Sequence, residues 1–136
     1  MDSPTMMASI NWLGVLLAVL ASFALGFLWY GPLFGKTWMA ASGVNADKAQ
    51  SGNMAMIFGT TAVLQLIAAA VLSMFIGPDP ELSYAIMAGF AVGAFWIATS
   101  LGTTYLYEQR PFAHWAVNAS YNVVTYTVWG LIFALL

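Results

Sequence analysis

Apolar residues run in four long blocks along the chain. They extend from about Ser9 to Phe34, Asn53 to Ile76, Leu82 to Tyr107 and Phe112 to Leu136. A helix needs about 20 mostly apolar residues to cross the hydrocarbon core of a bilayer, so each block predicts one membrane-spanning helix. The polar intervals between them are short: residues 35–52, which contain SGVNADKAQSG, then GPDPE, then EQRP. Their Gly, Pro, Asp and Asn are helix stops and turn formers. No interval is long enough to separate domains. The expected fold is all-α, a polytopic membrane protein of four transmembrane helices forming one unit over residues 1–136.

Composition agrees with this pattern. Hydrophobic residues make up 62% of the chain and charged residues 6%, where a soluble domain carries about 25% charge. The lipid bilayer is therefore the first expected partner. The net charge of −2 leaves no basic patch for nucleic acid, and with no cysteine there is no disulfide framework or thiolate chemistry. The leading MDSPTMMASINW holds an acid and no base. A cleaved secretory signal wants a positive n-region, so the first block is expected to be retained. Lys36 and Lys48 fall in the first interval and Arg110 in the third. The positive-inside rule then places those two loops in the cytoplasm and both termini outside.

The halves of the chain resemble each other. Residues 18–29, AVLASFALGFLW, and 85–96, AIMAGFAVGAFW, share Ala18/Ala85, Ala21/Ala88, Phe23/Phe90, Ala24/Ala91, Gly26/Gly93 and Trp29/Trp96 at an offset of 67. Helices two and four align more weakly at an offset of 65, through Asn53/Asn118 and Thr60/Thr125 among others. This reads as a tandem repeat of a two-helix hairpin, with halves of about 1–67 and 68–136 and a pseudo-two-fold axis along the membrane normal. Gly14, Ala18, Ser22 and Gly26 form a small-residue ridge on helix one, and Ala85, Gly89 and Gly93 form one on helix three. Such ridges let membrane helices approach closely. Helices one and three are expected to cross through them.

Reactive side chains are sparse. The single histidine, His114, beside Trp115, reads as an interfacial anchor, with no second group to complete a metal or cofactor site. No catalytic set can be assembled and no cofactor is implied. Amide and hydroxyl groups stand out instead. Gln65 lies mid-way along helix two, and Asn118, Tyr121, Asn122, Thr125 and Trp129 share one face of helix four, with Thr99, Ser100, Thr103 and Thr104 on helix three. Polar groups facing lipid lose their hydrogen bonds, so this face should turn toward protein or a wet cavity. It is either interhelical glue or the lining of a pocket or pore. The polarity of helix four is absent from the matching positions Met56, Ile57 and Leu64 of helix two, which favours a pocket.

The stretch WYGPLFGKTW, residues 29–38, ends the first block. Pro32 cannot donate to the carbonyl of Leu28 and crowds that turn, and Gly31 loosens it further. A short interfacial helix, PLFGKTWMAAS, closed by Gly43, is expected to follow, with Trp38 in the aromatic belt and Lys36 reaching the headgroups. It reads as a structural foot, or else as a backbone break that lines a cavity.

An N-terminal Asn11-Trp12 pair, a span ending in Trp29, Tyr30, Gly31, Pro32, Phe34, Gly35, Lys36 and Trp38, and a later VNASYN holding Asn118, Ala119 and Tyr121 together resemble the family known as domain of unknown function 1761. The resemblance covers essentially the whole chain. It implies a small four-helix membrane protein, chiefly bacterial and then of the inner membrane, with no assigned activity. At Asn122 the chain departs from the family pattern, which tends to hold a bulkier residue. The functional expectation is a non-enzymatic, homo-oligomeric bundle that binds or passes a small solute or lipid. The alternative is an accessory or scaffolding subunit of a larger membrane complex.

Overall fold

The structure, a computed structural model, describes residues 7–136. The segment on which the missing n-region was read begins outside the described residues. Helix one is α1 (Trp12–Leu28), prolonged without a break by a π-helical turn at Trp29–Leu33. Two short helices follow, α2 (Gly35–Ser42) and α3 (Ala46–Ser51). Helix two is α4 (Met54–Ile76). Helix three joins α5 (Leu82–Ala91), a second π-helical turn at Val92–Ile97, and α6 (Ala98–Tyr107). Helix four is α7 (Phe112–Leu135). Among the described residues there is no strand, and the fold is all-helical.

Local chemistry sets the ends of these helices. Asn11, Asn45 and Asn53 sit at N-caps, and each side-chain oxygen accepts from a backbone N–H of the first turn. Gly43 closes α2 at φ +78° and Gly77 closes α4 at φ +85°, where an L side chain would be strained. The short helix after the Gly-Pro pair starts at Gly35, not at Pro32. The Phe34 N–H reaches back five residues to the Trp29 carbonyl at 2.8 Å, so the π turn absorbs the proline that cannot donate.

Among the described residues, three helices are long and apolar enough to cross a membrane: Trp12–Leu33, Met54–Ile76 and Leu82–Tyr107, of 22, 23 and 26 residues. Helix four matches them in length but carries more polar side chains. Its position accounts for that composition. It packs against helix one on one side and all three parts of helix three on the other, and also meets α2. His114, Val117, Ala119, Thr125, Trp129, Gly130 and Phe133 are buried along it. A helix enclosed by protein has less need of an apolar surface than one facing lipid.

The expected crossing of helices one and three is corrected here: both small-residue ridges face helix four. On helix one, a Cβ at Gly14 would meet Phe133 at 2.9 Å, the Ala18 carbonyl accepts from Trp129, the Ser22 carbonyl accepts from Tyr121, and Gly26 lies over the Tyr121 ring. Small residues on one helix thus form the seats for large aromatic ones on the other. On helix three the approach is backbone to backbone. A Cβ at Gly89 would land on the Tyr126 carbonyl oxygen, and one at Gly93 would stand 2.9 Å from Val123 Cα. Across the same interface, a Cβ at Gly130 would land on the carbonyl oxygen of Ala85.

Helix two has a different environment from helix four, its proposed repeat partner. It packs chiefly on helix one, and its buried residues, Ala69, Leu72, Ser73 and Ile76, all lie in its second half. They join Val15, Ala18, Ala85, Trp129 and Phe133 in the apolar core. The Asn11 N–H donates to Ser73 Oγ at 2.9 Å and ties that end to the start of helix one. The first half of helix two stands away from helix four. At that open end Arg110 Nη1 donates to the Ser42 carbonyl at 3.3 Å, so the first and third connections lie at the same end of the bundle.

Candidate functional site

The π turn at the end of helix one builds the first part of the site. Neighbouring side chains on a regular α-helix point about 100° apart. Here Trp29 and Tyr30 both reach helix four, on consecutive residues. Trp29 Nε1 donates to the Val117 carbonyl at 3.1 Å, and the Tyr30 hydroxyl donates to Asn118 Oδ1 at 2.6 Å. π-helical turns commonly mark functional positions because they re-aim side chains in this way.

Asn118 is the hub. Its Nδ2 donates to the Tyr105 hydroxyl at 3.1 Å and stands 3.4 Å from His114 Nε2. Its backbone carbonyl accepts from Asn122 Nδ2 at 2.9 Å. Helices one, three and four are thereby joined through one amide. His114 is only 8% exposed and its ring meets that of Tyr105 edge-on at 4.4 Å. It is not an interfacial anchor, because α6 covers it. Its Nδ1 is buried and has no hydrogen-bond partner among the described residues.

A cavity of about 620 Å³ opens beside this hub, where helix two stands away from the bundle. Ser22, Phe23, Phe27 and Tyr30 form one wall, and Ile57, Phe58, Thr61 and Gln65 the other. Tyr121 closes the back, and Trp38 and Ala49 close the end toward the first connection. The Phe58 ring lies 6.2 Å from both Phe23 and Phe27 across the cleft. The Tyr30 ring lies 5.4 Å from Tyr121 and 5.5 Å from Trp38. Among the described residues that line it, none is charged.

The polar groups of this wall are unequally occupied. The Tyr121 hydroxyl donates to the Ser22 carbonyl at 2.7 Å, and the Thr61 hydroxyl to the Ile57 carbonyl at 2.7 Å. Gln65, the central residue of α4, makes no hydrogen bond with another described residue. An unpaired amide in an apolar setting costs about 1–3 kcal/mol by mutational measures. A molecule in the cavity with a polar head would relieve that cost.

The structure thus sorts the polar residues expected to line a pocket. Gln65 and Tyr121 line the cavity. Asn118 and Asn122 stand behind it in the hub, and they border no channel with Gln65. Trp129 and Thr125 are 0% and 1% exposed, so they are packed inside the bundle and line nothing. Conversely, Tyr30 and Trp38, expected as parts of an interfacial foot, belong to the site. Lys36 and Pro32 remain on the exposed surface, and a Cβ at Gly31 would meet nothing within 4 Å. On α6 the sequence pattern singles out four residues, Thr99, Ser100, Thr103 and Thr104, and not Tyr105. Thr99 and Thr103 spend their hydroxyls on carbonyls of their own helix.

Among the described residues no three His, Cys, Asp or Glu side chains converge as a metal site would require. No curated protein and no solved structure matches the chain. Residues 13–134 match the model of a family described as a protein of unknown function, DUF1761, and the chain, with its apolar membrane-type helices around this hub and cavity, belongs to that family.

Proposed function

We propose that the protein is an integral membrane protein of four spans, helix four included, which binds a small neutral amphiphile, a lipid or an apolar solute, in the cavity between helices one and two. The observation that carries this reading is the Gln65 amide, without a partner among the described residues, on the wall of an otherwise largely apolar cavity. A volume of about 620 Å³ lies within the usual range of small-molecule sites, about 300–1,000 Å³. Aromatic rings supply apolar area, and Gln65 can both donate to and accept from a polar head. With no lining cation, an anionic head would find no counter-charge.

Topology belongs to the same proposal. Lys36, Lys48 and Arg110 lie on the two connections joined by the Arg110–Ser42 contact, and the positive-inside rule places that end in the cytoplasm and both termini outside. The cavity then opens sideways to the cytoplasmic half of the bilayer. Assembly as a homo-oligomer is part of the reading. The alternative, an accessory subunit of a larger complex, draws on helix two, whose Met56, Val63, Leu64 and Ile67 are exposed and could receive a partner as well as lipid.

Purification from the native membrane in mild detergent, followed by mass measurement of the intact assembly, tests both. The expected result is a homo-oligomer retaining a neutral small molecule, which is lost in Gln65→Leu while the folded protein persists. Stoichiometric foreign subunits with no retained molecule would establish the subunit reading instead.

A further inference from the structure

We propose that His114 is a proton-binding site coupled to the cavity, and that Asn118 carries the coupling by reversing the direction of the Tyr30 hydrogen bond. The proposal deepens the binding reading above and rests on it for its effect on the ligand; the proton site itself stands on the hub geometry.

The amide orientation follows from distance. Tyr30 Oη to Asn118 Oδ1 is 2.6 Å, short for an N–H···O bond and ordinary for O–H···O. The amide oxygen therefore faces Tyr30, and its NH₂ faces Tyr105 and His114. An amide nitrogen has no acceptor capacity. With the amide so oriented, the contact of 3.4 Å assigns His114 Nε2 as the acceptor and places the ring proton on Nδ1.

Adding a proton to Nε2 sets two donors against each other. A half-turn of the Asn118 amide, a torsion that is broad and roughly two-fold, removes the conflict. Oδ1 then accepts from His114 Nε2 and from the Tyr105 hydroxyl, while Nδ2 donates to Tyr30. The Tyr30 oxygen has become an acceptor, so its proton is free to turn toward the cavity that Tyr30 lines. One proton is bound at Nε2, no covalent bond elsewhere changes, and the cavity gains a donor.

Few other groups can interfere. Tyr105 and Tyr107 on α6, Tyr30 at the π turn, and Tyr121 and Tyr126 on α7 itself are phenols that donate and accept hydrogen bonds. Lys36 on α2 and Arg110 in the third connection are cationic, and Arg110 is paired with Glu108 at 3.1 Å. Helix two, α1 and the π turn Val92–Ile97 carry no ionisable side chain, and α5 carries only Tyr84. The side chain of this cluster that ordinarily titrates between about pH 5 and 8 is the histidine.

The chain holds a single histidine, so ¹⁵N-histidine labelling reports His114 alone. In the full-length protein in detergent, the ¹⁵N shifts should show the Nδ1–H tautomer at pH 8 and uptake of a proton at Nε2 as the pH falls toward 5. Binding of tritiated monoolein, read by scintillation proximity over the same range, should strengthen about tenfold on acidification, the equivalent of about one added hydrogen bond. In Tyr30→Phe and in Asn118→Leu the binding should be weaker and independent of pH, even though His114 still titrates. An Nε2–H tautomer at pH 8, or a Tyr30→Phe protein with the wild-type pH response, would overturn the coupling. Failure to bind monoolein at any pH, with the Nδ1–H tautomer present, counts against the cavity as its site. The coupling then stands or falls on whether Asn118→Leu moves the His114 titration, as it must if the amide faces Nε2.

Discussion

Alanine at Gly130 or at Gly89 is expected to part helices three and four and to lower the stability of the protein by about 3 kcal/mol or more, at or beyond the upper end of ordinary overpacking. The added methyl at Gly130 lands on the Ala85 carbonyl oxygen, and that at Gly89 on the Tyr126 carbonyl oxygen. Neither obstacle is a side chain that can rotate away. Both backbones must shift, and they belong to the closest helix pair in the bundle. Within a membrane there is no water-driven force to hold separated helices together, so close approach is itself the attraction that is lost. Two substitutions of the same chemistry serve as controls. At Gly26 the new Cβ would stand 3.6 Å from the Tyr121 hydroxyl, an ordinary contact, and at Gly59 it would meet nothing within 4 Å. Gly59→Ala should stabilise slightly, since glycine in a helix interior is disfavoured by about 0.8–1.0 kcal/mol. Thermal loss of the monodisperse peak on size exclusion in detergent separates the four variants. If Gly130→Ala and Gly59→Ala melt together, the backbone approach between helices three and four is not as described.

That contrast also shows what could and could not be seen in the chain itself. The helix limits were partly legible because their signals are local: Gly43 and Gly77 as stops, and Pro111 before Phe112. The small-residue ridges were visible too, because a four-residue spacing needs no partner to be noticed. What they would meet was not visible. A ridge states that something comes close, and the offset-67 match suggested another ridge. The actual partners are the aromatic side chains of Phe133, Trp129 and Tyr121 for the helix-one ridge and the helix-four backbone at Val123, Tyr126 and Gly130 for the helix-three ridge. The repeat misleads in the same way. Trp29 and Trp96 occupy matching positions, yet Trp29 donates to helix four while Trp96 is 71% exposed. Asn53 and Asn118 also match, but one caps a helix and the other is the hub.

The candidate site was half legible for a related reason. Polar residues in apolar blocks announce themselves, so Gln65, Asn118 and Tyr121 stood out. Tyr30 and Trp38 looked like interface anchors because aromatics beside a Gly-Pro break usually are. The π turn, which sends Trp29 and Tyr30 toward helix four, brings Tyr30 into the site, and Trp38 packs against the Tyr30 ring from α2. Tyr105 and His114 needed the packing of α6 over the start of α7 before either could matter. The site therefore depends on the register of helix four against both of its neighbours.

Trp129 fixes that register, and its removal is the second large effect expected. The side chain is 0% exposed, its Nε1 donates to the Ala18 carbonyl at 2.9 Å, and its ring lies 4.5 Å from that of Tyr126. It packs among Val15, Ala18, Ala69, Leu72 and Phe133, where helices one, two and four meet. Trp129→Ala should cost roughly 2–4 kcal/mol. A large-to-small change in a soluble core costs about 3–5 kcal/mol, part of which is transfer from water and is absent when the reference state lies in lipid; the share due to the unfilled cavity remains. The hydrogen bond is the smaller part. The Ala18 carbonyl also lies in the regular part of α1, so its helical bond survives, and Trp129→Phe should cost about 0.6 kcal/mol for the lost contact and at most about 1.7. Trp96→Ala, which empties a position facing outward, should change little. The expected order in a detergent melt is thus wild type and Trp96→Ala together, Trp129→Phe slightly below them, and Trp129→Ala far below. Equal losses for the alanine and phenylalanine variants would mean that the Ala18 contact, and not the filling of the three-helix core, holds helix four in register.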